Sequence, residues 1–240
     1  MSRPFKEWKV LPHERLTEVT DDILTVVGTL RMPLGEFPRR MTVVRLADRR
    51  LVIYSAIALE EAEMRELEAY GDPAFLVVPG DIHRLDAHPW KERYPDLFVV
   101  APAGAREKVE KVVRVDATEV DFGDPSVQLV SVPGTGGHEA ALLVDRPTGA
   151  TLIVNDLIWN LGNQPGVGGW LMRIARFTGT PAHIPPLVAR KLIKDRPALG
   201  AQLEEWSQIE GLDRIIVSHG DIVTGRPRHI LRKLAVQMAG

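Results

Sequence analysis

The stretch AFLVVPGDIHRLDAHPW, residues 74–90, constrains the fold more than any other part of the chain. Its first five residues form a continuous apolar run, which is typical of a strand buried on both faces. The run ends at Pro79-Gly80, and a polar loop with two histidines and two aspartates begins at once. Polar residues that directly follow a buried strand are where α/β folds tend to place functional groups. The stretch therefore predicts an α/β fold with a site beside this strand.

The loop is rich in residue types that bind metal ions. Asp81, His83, Asp86 and His88 lie within eight residues of one another. Imidazole nitrogen and carboxylate oxygen are ligands that zinc, iron and manganese accept. The chain has no cysteine, so a metal would be held by His, Asp, Glu or backbone oxygen. The alternative interpretation is a polar surface loop whose histidines occur there by chance.

Two later strands also end in polar residues. Asp156 ends the apolar stretch LIVNDL (152–157), and His219 follows the apolar run of IIVSHGD (215–221). A carboxylate at the end of an apolar strand must be solvated, paired or bound to a metal. Both residues are therefore candidate ligands. The alternatives are an aspartate that caps the next turn and a histidine held by a hydrogen bond at a strand end.

A further candidate segment, PGTGGHE (133–139), lies between two predicted strands. Its backbone amides could cradle an anion, but no lysine and no helix follow, so it is not a P-loop. His138 and Glu139 are interpreted as a ligand and a base, or as residues that simply enter the next strand.

Working outward, the patterns predict one domain over residues 1–240, with strands preceding helices in most of the chain. The stretch up to about Thr20 is predicted to be irregular, Met32–Arg40 to be a Pro/Gly loop, and about 159–195 to be a helical insertion rich in Gly, Pro and Trp. The predicted strands are Ile23–Leu30, Thr42–Leu46, Leu51–Ser55, Ala74–Val78, Leu97–Ala101, Val127–Val132, Ala140–Val144, Thr151–Val154 and Arg214–Ser218. The predicted helices are Glu60–Tyr70, Gly104–Lys111, Pro186–Lys194, Leu199–Ile209 and Ile230–Met238.

Composition narrows the classes of partner. With 30 basic and 32 acidic residues the net charge is −2, so no global basic field exists to recruit nucleic acid. No apolar run approaches the roughly 20 residues of a membrane helix, and the N-terminus lacks the apolar core of a secretory signal. We therefore expect a cytoplasmic protein with a small-molecule substrate or ligand, and neither a nucleic acid nor a membrane as partner.

Taken in chain order, these pieces resemble the metallo-β-lactamase superfamily. That family is similar in having an N-terminal β-block, a His-rich loop after a buried strand, a Pro-Gly loop with a His, an Asp after a later strand and a late His-Gly. The counterparts here are the 83–88 loop, His138, Asp156 and His219-Gly220. The resemblance runs from about Ile23 to the C-terminus. It implies an α/β fold arranged as a four-layer αββα sandwich.

Four stretches together resemble an uncharacterised bacterial subfamily of that fold. They are RMTVVRLADRRLVIYSAIAL (40–59), VVPGDIHRLDAHPWKERYP (77–95), LIVNDLIWN (152–160) and RIIVSHGDIV (214–223). Each stretch is a weak signal alone, and the set is what carries the resemblance.

The metal signature of the superfamily, H-x-H-x-D-H, is not intact here. When His83 takes its first place, His88 takes its last, but Leu85 and Ala87 stand where the middle His and the Asp belong. When the loop is instead aligned from the end of strand 74–78, Gly80 and Ile82 fall at the first two His places. Ser55 or Ala56 replaces an Asp usual after the early strand, and Thr135 stands where a His follows Pro-Gly.

The resemblance implies a metal-dependent hydrolase with a non-standard, mononuclear site, acting on an ester, lactone, thioester or phosphoester. The predicted ligands are some of His83, Asp86, His88, His138, Asp156 and His219, with Asp86 or Glu139 as general base. Zinc is the expected metal, with iron or manganese as alternatives. The rival hypothesis is a metal-free relative that binds a small molecule or a protein partner, because Leu85, Ala87 and Ser55 occupy places that normally hold polar ligands.

The Trp-bearing part of the insertion has two interpretations. Trp159, Trp170, Leu171 and Met172, with Trp206 further on, could form an apolar wall that helps to select the substrate. The alternative is ordinary packing in the core and between helices.

Overall fold

The computed structural model describes residues 4–32, 35–179 and 181–239. Two compact units are present. Unit 1 comprises Met1–Leu30 and Pro38–Asp124, and unit 2 comprises Arg31–Phe37 and Pro125–Gly240. The single-domain interpretation of the chain stays a prediction.

Unit 1 is built on one sheet with three helices among its described residues. Its strands are β1 (Thr17–Thr20), β2 (Ile23–Met32), β3 (Gly35–Arg45), β4 (Arg50–Tyr54), β5 (Asp72–Val77) and β6 (Phe98–Val100), and they follow that order across the sheet. Its helices are α1 (Glu61–Tyr70), α2 (Ala87–Arg93) and α3 (Arg106–Glu110). Pairing is antiparallel for β1 with β2 and for β3 with β4, and parallel for β4 with β5 and for β5 with β6.

The core of unit 1 forms where the helices cover this sheet. Met64 and Leu67, the apolar pair at helical spacing in α1, are both fully buried, as the sequence pattern predicts. Trp90 of α2 is also fully buried, and its indole Nε1 donates a hydrogen bond to the Ile57 carbonyl at 3.1 Å. This bond fixes α2, and with it the preceding loop, against the chain that leaves β4.

Unit 2 contains a second sheet. Its strands are β7 (Val127–Ser131), β8 (Ala140–Arg146), β9 (Gly149–Val154) and β10 (Leu212–Val217), in the spatial order β10-β9-β8-β7. Strands β7, β8 and β9 pair antiparallel, whereas β10 pairs parallel to β9. The helices are α4 (Gly166–Ile174), α5 (Pro186–Leu192), α6 (Arg196–Ser207) and α7 (Pro227–Ala239). The core of unit 2 includes Leu199, Leu203 and Trp206 of α6 and Leu231 of α7.

Three elements differ from the sequence prediction. The predicted loop over Met32–Arg40 is wrong from Gly35 onward, because β3 begins there, and its Pro33 lies outside the described residues. The stretch before Thr20, predicted to be irregular, contains β1. Partner strands explain both differences, because sheet pairing outweighs the weak local propensities of Gly, Pro and Glu.

Helix α2 is the third difference, since its residues were interpreted as loop. Its proline, Pro89, lies in the first turn, where a missing N–H leaves no hydrogen bond unmade. The burial of Trp90 then holds the short helix in place.

Candidate functional site

The register of β9 against β10 brings Asp156 and His219 together. Val154 pairs with Val217 in this parallel ladder, so residues two positions beyond each strand end are also neighbours. The His219 Nε2 and Asp156 Oδ1 atoms are 3.0 Å apart. One position earlier, the Ser218 hydroxyl donates to the Asn155 side-chain oxygen at 2.9 Å. Two strand ends that are far apart in sequence therefore place their polar residues side by side.

Glu139 joins this group from the neighbouring strand β8, which begins one residue later. Its Oε1 atom accepts a hydrogen bond from the backbone N–H of Leu157 at 3.1 Å, so it is tied to the turn that carries Asp156. Its side chain has almost no exposed surface. Burial, and then the nearby Asp156 carboxylate, raise the pKa of Glu139 well above its ordinary value. A raised pKa shifts Glu139 toward its protonated form.

Trp159 supports the same pair. Its ring lies 4.1 Å, centroid to centroid, from the His219 imidazole, and its Nε1 donates to the Asp156 carbonyl at 2.9 Å. The backbone closes around this contact, because the Asn160 N–H donates to the His219 carbonyl at 3.0 Å. Gly220 permits the approach, since it has a φ of +103° and a Cβ there would lie 2.1 Å from the Asn160 oxygen.

His83 lies in unit 1, and its neighbour there is Ser55. The Ser55 Oγ and His83 Nδ1 atoms are 2.8 Å apart. Ser55 has a φ of +59°, an uncommon conformation for a residue with a side chain. Ser55 therefore orients the imidazole of His83. In the sequence comparison, Ser55 is one of the two residues that stand where the resembling family usually has an Asp.

Asp86 is engaged inside unit 1. It forms an ion pair with Arg39, and its Oδ1 accepts from the Ala58 N–H at 3.2 Å. Its carboxylate is fully buried, and burial raises the pKa of Asp86 more than the Arg39 charge lowers it. The Nε and Nη2 atoms of Arg39 have no hydrogen-bond partner among the described residues. Asp86 therefore links β3, the chain after β4 and the start of α2.

The other two predicted ligands lie elsewhere. His88 is on α2 and contacts Glu92 one turn later, with 3.3 Å between His88 Nε2 and Glu92 Oε1. His138 lies in the turn before β8, where its backbone N–H donates to the Thr135 carbonyl at 3.3 Å. Among the unit 2 residues singled out from the sequence, the structure thus groups Glu139, Asp156 and His219.

Several residues that contact the candidate site residues were not singled out from the sequence. Arg39 fell within the predicted Pro/Gly loop, so the sequence contained no signal that it would be buried in a strand and need an acidic partner. Asn155 and Ser218 each stand one position before a candidate ligand, and Asn155 and Ser218 are themselves buried. Only the strand register shows that they pair.

The Trp-bearing segment is divided between core and surface. Trp159 and Met172 are buried and pack with Phe37 and Leu161. Trp206 belongs to the core of unit 2. Trp170 and Leu171 are exposed. The packing interpretation therefore accounts for the first three residues and leaves the last two unexplained.

No protein-family model matches the sequence, and no curated protein does. Solved structures do match. The mono-zinc form of the metallo-β-lactamase FIM-1 from Pseudomonas aeruginosa aligns at a TM-score of 0.61 and 12% identity, over 95% of this chain and 97% of that one. DIM-1 metallo-β-lactamase exposed to ceftazidime aligns at 0.63 and 13%, over 95% and 99%. A metallo-β-lactamase from Hirschia baltica aligns at 0.61 and 11%, over 95% and 98%.

The chain has the metallo-β-lactamase fold. The predicted α/β fold class is thereby confirmed, and the alignments cover the chain almost from end to end. At 11–13% identity, this chain is similar to these enzymes in its fold alone.

The paired donors at the ends of β9 and β10 fit a metal ion of the kind this fold implies. Zinc accepts imidazole nitrogen and carboxylate oxygen at about 2.0–2.2 Å, so two ligands of a tetrahedral ion lie roughly 3.4 Å apart. The 3.0 Å between His219 Nε2 and Asp156 Oδ1 is close to that spacing. Glu139 and Trp159 would then act as the outer partners that orient a ligand. The donor set is oxygen and nitrogen only, since the chain has no cysteine.

Proposed function

We propose that this protein is a metal-dependent hydrolase whose site includes Asp156 and His219. The observation that carries the proposal is the direct approach of these two side chains at neighbouring strand ends, 3.0 Å apart and both largely buried. Two potential ligands held together and nearly out of water have no packing role that an apolar pair would not serve better. Zinc is the proposed metal, with iron or manganese as alternatives.

We propose His83 as a third ligand, as the sequence resemblance implies. Histidines that bind metals usually have their second ring nitrogen hydrogen-bonded, which fixes the ring orientation. Ser55 makes such a contact with Nδ1 of His83, so the proposed donor atom is Nε2. A site with this ligand set is mononuclear. Asp86 is not part of the proposal, since Arg39 and Ala58 already engage both of its oxygens.

When bound, a divalent ion would polarise a substrate carbonyl or phosphoryl oxygen and lower the pKa of a water molecule. The protein's own residues hold the ligands in place. Glu139 anchors the Leu157 N–H, and Trp159 anchors the Asp156 carbonyl and stacks on His219. We therefore propose Glu139 as a positioning residue rather than the general base. The proposed substrates are an ester, lactone, thioester or phosphoester, and the proposed relatives are the uncharacterised bacterial subfamily.

A metal-free protein that binds a small molecule or a protein partner is the second candidate. One observation favours it: the hydrogen bond between His219 and Asp156 satisfies both side chains without an ion. Removing metal distinguishes the two functions, since an ion that binds only the folded state stabilises it.

The experiment measures bound metal by plasma mass spectrometry in protein purified without chelator, with thermal melting before and after chelation. We expect about one equivalent in the wild type, a loss of it in Asp156→Asn and His219→Ala, and a reduced content in His83→Ala. His229→Ala is the matched control, because His229 is an exposed histidine of α7. Chelation should lower the melting temperature of the wild type and of His229→Ala, and should leave that of the ligand variants unchanged.

Activity is measured on the same samples. Wild-type protein reconstituted with zinc should hydrolyse one of four probes, an aryl ester, a lactone, a thioester or an aryl phosphodiester, and Asp156→Asn should not. A wild type that binds none of the three metals after reconstitution would contradict the hydrolase proposal and favour the metal-free alternative.

A further inference from the structure

Helix α4 carries an apolar stripe that faces solvent. Val167, Trp170, Leu171 and Ile174 are 76%, 54%, 38% and 60% exposed, respectively. They stand at positions i, i+3, i+4 and i+7, so they form one face of the helix. Eight large apolar side chains are exposed among the residues that the structure describes, and these four are half of them. Such a concentration marks an interaction surface rather than scattered exposure.

The opposite side of α4 is anchored to unit 2. Met172 is buried with Trp159, Leu161 and Phe37. Gly169 is buried too, and the backbone of Gln164 passes so close that a Cβ at Gly169 would lie 1.9 Å from the Gln164 oxygen. The helix is therefore packed through its small inner face, and its larger apolar side chains point outward.

The segment around the stripe, residues 157–194, carries positive charges and no negative ones. No acidic residue occurs from Leu157 to Lys194, whereas five basic residues do. They are Arg173, Arg176, Arg190, Lys191 and Lys194, and all five are exposed. Within 4–32, 35–179 and 181–239, none of them forms an ion pair with an acidic side chain. Arg173 lies on the helix directly beside the stripe.

We propose that α4 docks this protein on an anionic membrane surface. An interfacial helix places an apolar face with a tryptophan in the boundary between headgroups and acyl chains, and its basic residues meet anionic lipid headgroups. The stripe supplies the apolar face. Arg173 beside it, with the other four basic residues of the segment, supplies the charge complementarity. Val, Leu and Ile have no ring faces on which nucleobases could stack, which favours a lipid surface over a nucleic acid.

This docking is peripheral. No helix among the described residues has the length and apolarity needed to cross a bilayer. The sequence-based expectation of no membrane partner rested on the absence of such a span, and a helix lying in the interface needs none.

The test is flotation with vesicles of equimolar phosphatidylcholine and phosphatidylglycerol, beside vesicles of phosphatidylcholine alone. We expect the wild type to float with the anionic vesicles, more weakly with the neutral ones, and less as salt is raised. The double variant Trp170→Ser/Ile174→Ser should bind at least about tenfold more weakly. Arg173→Gln should bind about fivefold more weakly.

Val236→Ser is the matched control, because Val236 is 69% exposed on α7, outside the basic segment. It should float like the wild type, and circular dichroism should show that every variant is folded. A wild type that does not float, that floats equally with both vesicles, or whose double variant still floats overturns the proposal. So does a wild-type dimer that the double variant dissociates, since the stripe is then an interface between two copies of this chain.

Discussion

At the scale of single residues, Glu139 shows how a tertiary environment redefines a side chain. From the sequence it was a candidate base beside a candidate ligand. In the structure it is fully buried, accepts a hydrogen bond from Leu157, and has a pKa raised by burial and by Asp156. The same carboxyl in water would be a base of ordinary strength. Its environment shifts the protonation equilibrium of this carboxyl toward the neutral acid.

This change predicts a pH dependence of stability. In the unfolded chain Glu139 titrates near its ordinary value of 4.5, and in the folded chain it titrates well above that. Between these two values the folded state binds more protons, so the free energy of unfolding falls as pH rises. The slope is at most about 1.4 kcal/mol per pH unit. Glu139→Gln keeps the shape and cannot titrate, so its stability relative to the wild type should increase as pH rises above 4.5.

The measurement is a set of denaturant unfolding curves between about pH 4.5 and 8, all in chelator so that metal binding does not enter. Glu107→Gln is the control. Glu107 is an exposed carboxyl whose pKa is lowered by Lys111, so its variant should shift in the opposite direction or remain level. A constant difference between Glu139→Gln and the wild type across this range would show that Glu139 titrates normally.

At the scale of elements, the turn 133–139 owes its shape to what it packs against. The Gly134 carbonyl accepts from the N–H groups of Lys194 and Asp195, at 2.7 and 3.0 Å. Asp195 in turn caps α6, since its side chain accepts from the Ala198 N–H at 3.0 Å. The turn therefore joins the start of α6 to Glu139 and to β8, which begins one residue later.

Gly134 is the residue on which this joint depends. Its φ is +78°, and a Cβ there would lie 2.2 Å from the Asp195 oxygen. We expect Gly134→Ala to lower the free energy of unfolding by about 2 kcal/mol or more, because the left-handed backbone alone costs about 1–2 kcal/mol. Gly225→Ala is the matched control, since nothing lies within 4 Å of its added Cβ. Thermal melting of both variants checks this, and equal melting temperatures would contradict it.

At the scale of the whole molecule, the chain order interleaves the two units. Strands β2 and β3 belong mainly to unit 1, yet their described residues 31–32 and 35–37 are assigned to unit 2. A strand that contributes to both units cannot unfold with one and remain folded with the other. We therefore expect a single cooperative transition, in agreement with the single-domain prediction.

Guanidinium unfolding followed by tryptophan fluorescence and by far-ultraviolet circular dichroism tests this. The probes cover both units, because Trp8 and Trp90 lie in unit 1 and Trp159, Trp170 and Trp206 in unit 2. Coincident curves indicate one transition. Curves with different midpoints would mean that the units unfold separately.

Local patterns were sufficient for most of the secondary structure and for the identity of the strand-end residues. The alternation and length of apolar runs reflect which faces are buried, and this information is local. Asp156 and His219 were recognised because each follows such a run. Where Gly35 and Pro38 suggested a loop, the structure has β3, since the partner strands that stabilise it are distant in sequence.

The sequence by itself thus determined the fold class and the candidate ligands Asp156 and His219, while the tertiary structure decided what each polar residue does. Asp86 and Glu139 look alike as loop carboxylates in the sequence. Asp86 forms an ion pair with Arg39 of β3, whereas Glu139 is buried against the turn after β9. The partner, the burial and therefore the pKa of a carboxyl depend on residues brought close only by strand register and core packing. No local pattern contains that information.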